Sequence, residues 1–339
     1  MATMQDVARL AGVSVSTVSF AMNNTRPVAA ATRARIEAAM AELGFRRNVL
    51  ARGLASRRSR MIALALPAGN NGLNPTIMGF VAGAGEAARE RGYHVVLWPL
   101  GHDQGDAVAD LCRQGLNDGV VLLDVHLRDS RADAIVAEGL PLVLIGRTAD
   151  DAVPHVDVDF EATAHAGLQH LAELGHTRIG FVNHSRAAYE AGYGPTVRMS
   201  EALERAAAAL GVRVEQTFAE ESAEAGRVAT HALLDAHPDL TAVAVMNDDA
   251  SFGVLQALRE RDLKVPDDVS VLSLLSSPIS ARQTFPALTA LLTPGHDLGR
   301  LGVESLIALL DEPGSTLGSH LLPCRLSQGL STAPAPRRH

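Results

Sequence analysis

The chain contains 339 residues, of which 47% are hydrophobic, and its formal net charge is −8 at pH 7. This length is enough for more than one globular unit. No apolar run approaches the roughly 18 residues of a membrane helix, and no apolar signal segment precedes the first helix, so the sequence predicts a cytoplasmic protein that does not enter a membrane. Two cysteines, Cys112 and Cys324, are too few for a disulfide framework and are expected to be buried.

Charge is distributed unevenly along the chain. The first 60 residues contain ten arginines and three acids, whereas the remaining 279 residues carry a net charge of −15. Cationic side chains neutralise phosphates and release their counterions, which is the sequence-independent part of DNA affinity. The charge pattern therefore predicts a DNA-binding head attached to a regulatory core.

Three short helices are predicted in this basic segment. The first begins after the capping residue Thr3, has Asp6 in its first turn and ends at Gly12. Ser14 caps the second helix, and the third extends from about residue 30 to residue 43. The positions expected to face inward are Val7, Leu10, Ala11, Val18, Ala21, Met22, Ile36, Met40 and Leu43. The first two helices are expected to form a helix-turn-helix.

From Met61 onward, short apolar runs alternate with longer helical stretches, which is typical of buried parallel strands in α/β proteins. The predicted strands are 62–66, 95–98, 120–123 and 142–145, followed by a second series at 179–182, 242–245 and 269–274. Two series predict two doubly wound parallel-sheet lobes. Ligands of such sheets bind beyond the carboxyl ends of the strands, here in the cleft between the lobes.

The chain resembles the lactose-repressor (LacI/GalR) family of regulators in both of these parts. The segments that carry the resemblance are MQDVARLAGVSVSTVSFAMNN, TRPVAAATRARI, ELGFRRNVLARGL, HLAELGHTRIGFV, AVMNDDASFGVLQALRE, KVPDDVSVL and PALTALLTP, in the order and spacing of the family. The head is most similar to the purine-repressor type, through Asn24-Thr25-Arg26. The resemblance implies an all-α head and a periplasmic-binding-protein-like core. It also implies a homodimer that binds a DNA operator and a small-molecule effector.

The resemblance also implies a division of the chain. The expected parts are a helix-turn-helix head at 1–47, a hinge helix and linker at 48–60, an effector-binding and dimerisation core at 61–331, and a disordered tail at 332–339. Within the core, the chain is expected to cross between the lobes three times, which assigns 61–159 with 290–320 to one lobe and 160–289 with 321–331 to the other.

The second helix of the head is implied to lie in the major groove, with Val15, Ser16 and Phe20 directed at base edges. Relatives commonly carry a polar or basic side chain at the position of Phe20, and the alternative is that Phe20 belongs to the core of the head. The residues expected to contact phosphate or sugar are Thr17, Ser19, Asn23 and Arg26.

Residues 48–56 are too few to hold a helix alone, so this segment is predicted to become helical only when DNA is bound. In the resembled family it is the hinge helix, and the resemblance implies that Leu54 inserts into the minor groove, with Arg52 supporting the contact. The alternative role of Leu54 is packing in the dimer.

A set of polar residues in the core corresponds to positions at which relatives hold an effector. These residues are Asn74, Asp159, Arg198, Asn247 and Asp248. Two further members of the predicted site depart from the family, because Leu275 replaces an acid and Glu221 lies near the place of a stacking aromatic. Converging polar groups suit a sugar-like or nucleoside-like molecule.

The departures restrict the expected ligand. A hexose would leave hydroxyls unpaired against Leu275 and against Thr76-Ile77, which replaces two aromatics. The expected effector is therefore a sugar derivative, either less hydroxylated on one side or carrying an anionic group for Arg198.

Enzymatic and metal-binding interpretations have little support in the sequence. Gly79, Gly83 and Gly85 lie within a helical stretch and indicate close helix packing rather than a phosphate-binding loop. The histidines lack zinc spacing, and no serine has a GxSxG motif. The sequence thus predicts a transcriptional repressor without a cofactor or a metal. A solute-binding protein and an α/β enzyme remain the alternatives.

Overall fold

The computed structural model describes residues 2–23, 26–45, 58–67, 74–312 and 318–336. The chain divides into two compact units, Met1–Ser59 and Arg60–His339. The predicted hinge at 48–56, with Arg52 and Leu54, lies outside the described residues. Within the described part of the chain, no helix is both long and apolar enough to cross a membrane.

The first unit contains helices α1 (Met4–Ala11), α2 (Val15–Asn23) and α3 (Ala30–Glu42). A reciprocal capping box begins α1, because Asp6 Oδ2 accepts from the backbone N–H of Thr3 at 2.9 Å and Thr3 Oγ1 accepts from the N–H of Asp6 at 3.3 Å. Gly12 ends α1 in the left-handed region at a φ of 63°. Ser14 Oγ accepts from the N–H of Thr17 at 3.1 Å and caps α2. The predicted helix-turn-helix is confirmed.

A small core holds the three helices together. Its buried members are Val7, Ala8, Ala11, Val18, Ala21, Ile36 and Ala39. Leu10 was expected to face inward but is 46% exposed, because Ala8 occupies the inward face of α1 instead. Met22, Met40 and Leu43 are partly buried at the edge of this core.

The first sheet of the core unit has the strand order β11-β5-β4-β3-β1-β2, with all neighbours parallel. Its strands are β1 (Met61–Pro67), β2 (His94–Leu100), β3 (Gly119–Leu123), β4 (Leu142–Ile145), β5 (His155–Val158) and β11 (His320–Leu322). The accompanying helices are α4 (Pro75–Glu90), α5 (Gly105–Arg113), α6 (Ser130–Ala137) and α12 (Gly295–Asp311). This is the first lobe.

The second sheet has the order β12-β10-β9-β8-β6-β7, in which only β12 is antiparallel to its neighbour. Its strands are β6 (Arg178–Asn183), β7 (Arg213–Phe218), β8 (Ala242–Val245), β9 (Ser270–Ser276), β10 (Thr289–Leu292) and β12 (Arg325–Ser327). The helices of this second lobe are α7 (Phe160–Glu173), α8 (Arg186–Glu190), α9 (Gly194–Leu210), α10 (Ala223–Ala236) and α11 (Asp248–Glu260).

The chain passes between the lobes at three places, after β5, after β10 and after β11. Two of these places differ from the expected boundaries. Strand β10 pairs with β9 and so belongs to the second lobe, which moves the crossing from 290 to beyond Leu292. Strand β11 pairs with β5, which moves the last crossing from 320 to beyond Leu322. The reason is that strand pairing, and not the apolar character of a short segment, decides which sheet it joins.

The tail also differs from its expectation. Residues 332–336, which were predicted to be disordered, lie against the second lobe: the N–H of Ala335 donates to the carbonyl of Leu174 at 2.7 Å, and the N–H of Ala333 donates to Ser270 Oγ at 3.0 Å. Buried His176 accompanies them, with Nε2 3.1 Å from the carbonyl oxygen of Ala333. These contacts hold the segment that follows β12.

Candidate DNA-binding head and effector cleft

The side of α2 away from the small core carries the predicted base-reading residues. Val15 and Ser16 are exposed, Phe20 is half-buried, and Val18 and Ala21 face the core. Thr17 and Ser19, predicted phosphate contacts, are half-buried. The helical period therefore separates a packing face from an outer face of mixed polar and apolar side chains that can approach DNA.

Phe20 is absent from the core of the head, which disfavours its interpretation as a core aromatic. Instead its ring lies beneath Arg26, whose guanidinium carbon is 5.0 Å from the ring centroid. A cation over an aromatic face at this distance is attracted by the ring quadrupole. Arg26, predicted as a phosphate contact, is thereby held beside the outer face of α2. The side chain of Asn23 lies outside the described residues.

A cavity of about 400 Å³ opens between the two lobes of the core unit. Residues from both lobes line it, including Asp124, Asp157, Glu221, Asp248 and Asp249 among the acids, His102 and His184 among the histidines, and Phe80, Phe160, Tyr193 and Phe252 among the aromatics. Its position at the carboxyl ends of the strands is where doubly wound sheets bind ligands, and its size is that of a small-molecule site.

The structure brings most of the predicted effector residues to this cavity. Asn74, Glu221, Asn247, Asp248 and Leu275 all line it. Asn74 and Asn247 are also helix caps, because the side-chain oxygen of Asn74 accepts from the N–H of Ile77 at 2.9 Å and that of Asn247 accepts from the N–H of Ala250 at 3.1 Å. The capping and ligand-binding interpretations of these residues are thus compatible.

Two predicted effector residues do not line the cavity. Asp159 caps α7, where its Oδ1 accepts from the N–H of Ala162 at 2.9 Å. Arg198 donates from Nη2 to the carbonyl of Thr148 at 3.1 Å. Its guanidinium is occupied at the junction of the lobes, so the expectation of an anionic group paired with Arg198 loses its basis.

Asp248 lies at the start of α11 and is surrounded by neutral donors. Its Oδ1 accepts from Ser276 Oγ at 2.7 Å, and burial raises the pKa of its carboxyl group despite this hydrogen bond. The neighbouring Asn247 is 3% exposed, and its Nδ2 has no hydrogen-bond partner. A buried donor without a partner carries a free-energy cost that a bound acceptor would remove.

Asp157 is a second buried polar group at the cavity, and the sequence pattern did not single it out. Its Oδ2 has no hydrogen bond and lies 3.4 Å from Arg147 Nε, too poorly aligned for a hydrogen bond. Burial raises the pKa of Asp157 from 3.8 to about 6, against the backbone N–H of Val158 and the nearby Arg198 and Arg147, which lower it. The burial effect prevails because the arginine contact is long.

Two histidines and a tyrosine contact acidic side chains in the cleft. His102 Nε2 lies 3.3 Å from Asp124 Oδ2, and burial lowers the pKa of His102, so that a neutral imidazole faces the carboxylate at pH 7. The hydroxyl of half-buried Tyr193 also bonds to Asp124, and desolvation raises the pKa of Tyr193. Across the cleft, His184 Nδ1 lies 3.0 Å from Glu221 Oε1. Asp124 directly follows β3, and this strand-end position is the signal that could have identified it.

Backbone hydrogen bonds join the lobes along one side of the cavity. The N–H of Leu127 in the first lobe donates to the carbonyl of Gly192 in the second at 2.7 Å, and the N–H of Gly194 donates back to the carbonyl of Val125 at 3.0 Å. We call this pair of hydrogen bonds the lobe latch. Among the residues that the structure describes, no group of three His, Cys, Asp or Glu side chains could hold a metal ion.

Comparison with known proteins agrees with both parts of this arrangement. Residues 3–48 match the family described as bacterial regulatory proteins, lacI family, and residues 168–332 match the periplasmic binding protein-like domain. The chain is 32% identical over 338 residues to the HTH-type transcriptional regulator CelR of Thermobifida fusca, which covers 94% of this chain and 96% of CelR. It is also 32% identical over 353 residues to the regulator MalR of Streptomyces coelicolor, covering 98% and 97%.

Two solved structures show the same fold. A CelR–cellobiose complex is similar at 27% identity with a TM-score of 0.73, covering 98% of this chain and 100% of that one. The lac repressor dimer bound to operator has a TM-score of 0.83 at 24% identity, covering 98% and 99%. A matching head, a matching core and relatives of the same length together show that the chain is a member of the LacI family of bacterial transcriptional regulators.

Proposed function

We propose that this regulator represses transcription as a homodimer on a DNA operator, and that a sugar or sugar derivative in the cleft controls it. The observation that carries the proposal is the joint presence of a helix-turn-helix with an exposed outer face and a cavity between two lobes that is lined by carboxylates, amides and aromatics. The complex of the similar CelR with cellobiose favours a sugar. A regulator of operator DNA acts where the DNA is, so we propose a cytoplasmic location.

A DNA-binding regulator explains both the head and the core, whereas a solute-binding protein or an α/β enzyme explains only the core. A plain solute-binding protein would have no use for the basic helix-turn-helix head, whereas a DNA-binding regulator requires one. The relatives with full-length similarity are transcriptional regulators, which favours regulation over an enzymatic role for the cleft.

The DNA part is tested by measuring binding of the full-length protein to a selected operator by fluorescence anisotropy over a series of salt concentrations. We expect Arg26→Ala to weaken binding to all sequences and to reduce the salt slope by about one unit, as for a lost phosphate contact. Ser16→Ala should instead change the base preference. Arg213→Ala, on an exposed position of the core, is the matched control and should leave both unchanged. Identical base preferences for Val15→Ala, Ser16→Ala and Phe20→Ala would contradict the assignment.

The hinge assignment rests on the sequence and needs its own test. We expect Leu54→Ala to reduce DNA bending and specific affinity while leaving the unfolding of the core nearly unchanged, because the wedge contacts only DNA. Bending is measured by energy transfer between dyes at the operator ends. Unchanged bending with an unchanged affinity would assign Leu54 to another role, such as packing in the dimer.

A further inference from the structure

The cleft is acidic to an extent that the expected sugar derivative does not explain. Five carboxylates line it: Asp124, Asp157, Glu221, Asp248 and Asp249. We call them the cleft carboxylates. No lysine or arginine is found among the described residues that line the cavity. In the sequence, residues 68–73 between Pro67 and Asn74 are Ala-Gly-Asn-Asn-Gly-Leu and carry no charged side chain.

Apart from the imidazole of His184, whose Nδ1 lies 3.0 Å from Glu221 Oε1, the positive groups near the cleft compensate little of this charge. Arg198 donates to Thr148 at the lobe junction, and Arg147 reaches only Asp157, at 3.4 Å. His102 is held neutral at pH 7 by burial, which lowers its pKa. An anionic ligand would thus enter a field of its own sign, whereas a cationic ligand would be attracted.

Within the cleft, one place is suited to a cation. The carboxylate of Asp249 makes no hydrogen bond or ion pair with a described side chain, and desolvation followed by the charge of Glu221 raises its pKa. Asp248, next to it, is bound only by neutral donors such as Ser276. Carboxylates that repel each other across an open cavity are stabilised by a cation placed between them.

Two buried polar atoms without a hydrogen bond point independently to a ligand, although one of them, Asp157 Oδ2, lies 3.4 Å from Arg147 Nε. Asn247 is 3% exposed and has an unused Nδ2 donor, while Asp157 is 5% exposed and has an unused Oδ2 acceptor. Both residues line the cavity. A ligand with hydroxyl groups can supply the acceptor and the donor that these atoms lack.

We propose that the effector is a polyhydroxylated molecule with a protonated amine, of the amino-sugar class, whose ammonium group lies between Glu221 and Asp249 and whose hydroxyls pair with Asn247 and Asp157. This inference rests on the proposed sugar-controlled function and specifies its ligand. The aromatic side chains Phe80 and Phe252 provide the apolar walls against which a sugar ring packs.

The test is calorimetric titration of the full-length protein with disaccharides that share one skeleton. Cellobiose is the neutral probe, and β-1,4-linked glucosamine disaccharide is its amino counterpart. The N,N′-diacetylated disaccharide is the uncharged control for bulk, and cellobiose 6′-phosphate is the anionic probe. We expect the amino disaccharide to bind at least tenfold more tightly than cellobiose and the diacetylated form at low salt, and the phosphate to bind most weakly. The preference should shrink as salt is added, because screening weakens partly exposed charge pairs.

Substitutions locate the ammonium group. Asp249→Asn and Glu221→Gln should each reduce the ratio of amino to neutral affinity toward one. Glu220→Gln is the matched control, because Glu220 is the neighbouring acid, is exposed and does not line the cavity. It should leave the ratio unchanged.

The outcomes separate this inference from the proposed function. Equal binding of cellobiose and the amino disaccharide, tight binding of the phosphate, or an amine preference that survives the Asp249→Asn and Glu221→Gln double substitution would overturn the inference while leaving a sugar effector in place. Absence of binding by all four probes would reject the inference and the sugar assignment together. The operator measurements decide separately whether the protein is a DNA-binding regulator.

Discussion

Asp157 shows how burial changes the chemistry of a single carboxyl group. It precedes the last residue of β5, lines the cavity and is 5% exposed, and the Nε atom of Arg147 lies 3.4 Å from its Oδ2. Desolvation of the charged form dominates, and the pKa of Asp157 rises from 3.8 to about 6. A carboxyl group whose pKa is higher in the folded state than in the unfolded state destabilises the fold once both states are ionised.

We therefore expect Asp157→Asn to stabilise the protein without ligand at pH 7.5, by up to about 3 kcal/mol for a pKa raised from 3.8 to about 6. The sign follows from the folded-state pKa, since the cost is absent below 3.8, develops as the pH rises from 3.8 to about 6, and is complete above that value. The difference between variant and wild type should accordingly shrink toward pH 4. Urea unfolding at a series of pH values measures it. A variant that is less stable than wild type at pH 7.5 would show that the Arg147 contact outweighs desolvation.

Arg131 is the residue that holds the cleft loop after β3. It is fully buried, and its Nε donates to Asp129 Oδ1 at 3.0 Å while its Nη2 donates to the carbonyl of Asp124 at 2.8 Å. The N–H of His126 donates to Asp129 Oδ2 at 3.1 Å. Burial opposes ionisation of Asp129, but these contacts hold its pKa below the usual value. A buried ion pair thus anchors the backbone of His126 and of Asp124, and Asp124 lines the cavity.

At the scale of elements, the packing of α4 against α12 depends on glycine. A Cβ atom added at Gly83 would lie 1.9 Å from the carbonyl oxygen of His296, and one at Gly299 would lie 2.1 Å from that of Phe80. The two helices can approach this closely only because hydrogen atoms occupy these positions. Gly85, by contrast, has open space around its Cα.

The pair Gly83→Ala and Gly85→Ala separates helix packing from helix propensity. Gly83→Ala should destabilise the core by about 1 to 3 kcal/mol or more, because the helix backbones must move apart. Gly85→Ala should stabilise it by about 0.5 to 1 kcal/mol, because alanine favours a helix interior. Chemical denaturation measures both. Equal effects of the two substitutions would contradict the close contact between α4 and α12.

At the scale of the core unit, the lobe latch connects effector binding to the arrangement of the two lobes. It joins the loop after β3 to the segment between α8 and α9, beside Tyr193 and the cavity. A ligand held by both lobes changes their equilibrium only through its different affinity for the closed and open arrangements. Contacts that favour the closed arrangement should therefore raise effector affinity.

Gly194→Ala is expected to weaken the latch. A Cβ atom at Gly194 would lie 2.7 Å from the carbonyl oxygen of Val125. Because this oxygen belongs to the backbone, a change of side-chain rotamer cannot relieve the clash. We expect the amide of Leu127 to exchange faster with solvent and effector affinity to fall by about tenfold, or ~1.4 kcal/mol. Hydrogen exchange and calorimetry test the two effects, with Gly85→Ala as the control. Wild-type exchange together with wild-type affinity would show that the latch does not contribute.

The sequence alone determined the helices of the head and the strands of the core, because these elements depend on local residue patterns. Capping residues, helical periodicity and the basic charge of the first 60 residues predicted the helix-turn-helix, and seven apolar runs predicted strands of both sheets. Of the seven effector residues that the family resemblance predicted, five line the cavity. These features are local because a cap, a turn or a buried strand is specified by residues close together in the chain.

The tertiary structure decided which segments pair and which side chains meet. Strands β10 and β11 are short, so only their partners in the sheets place the lobe crossings beyond residues 292 and 322. Arg198 and Asp159 carry suitable chemistry but are turned to Thr148 and to the start of α7. The cleft carboxylates come from distant parts of the chain, and their shared excess of negative charge exists only where the two lobes face each other, because electrostatic interactions depend on distance in space rather than in sequence.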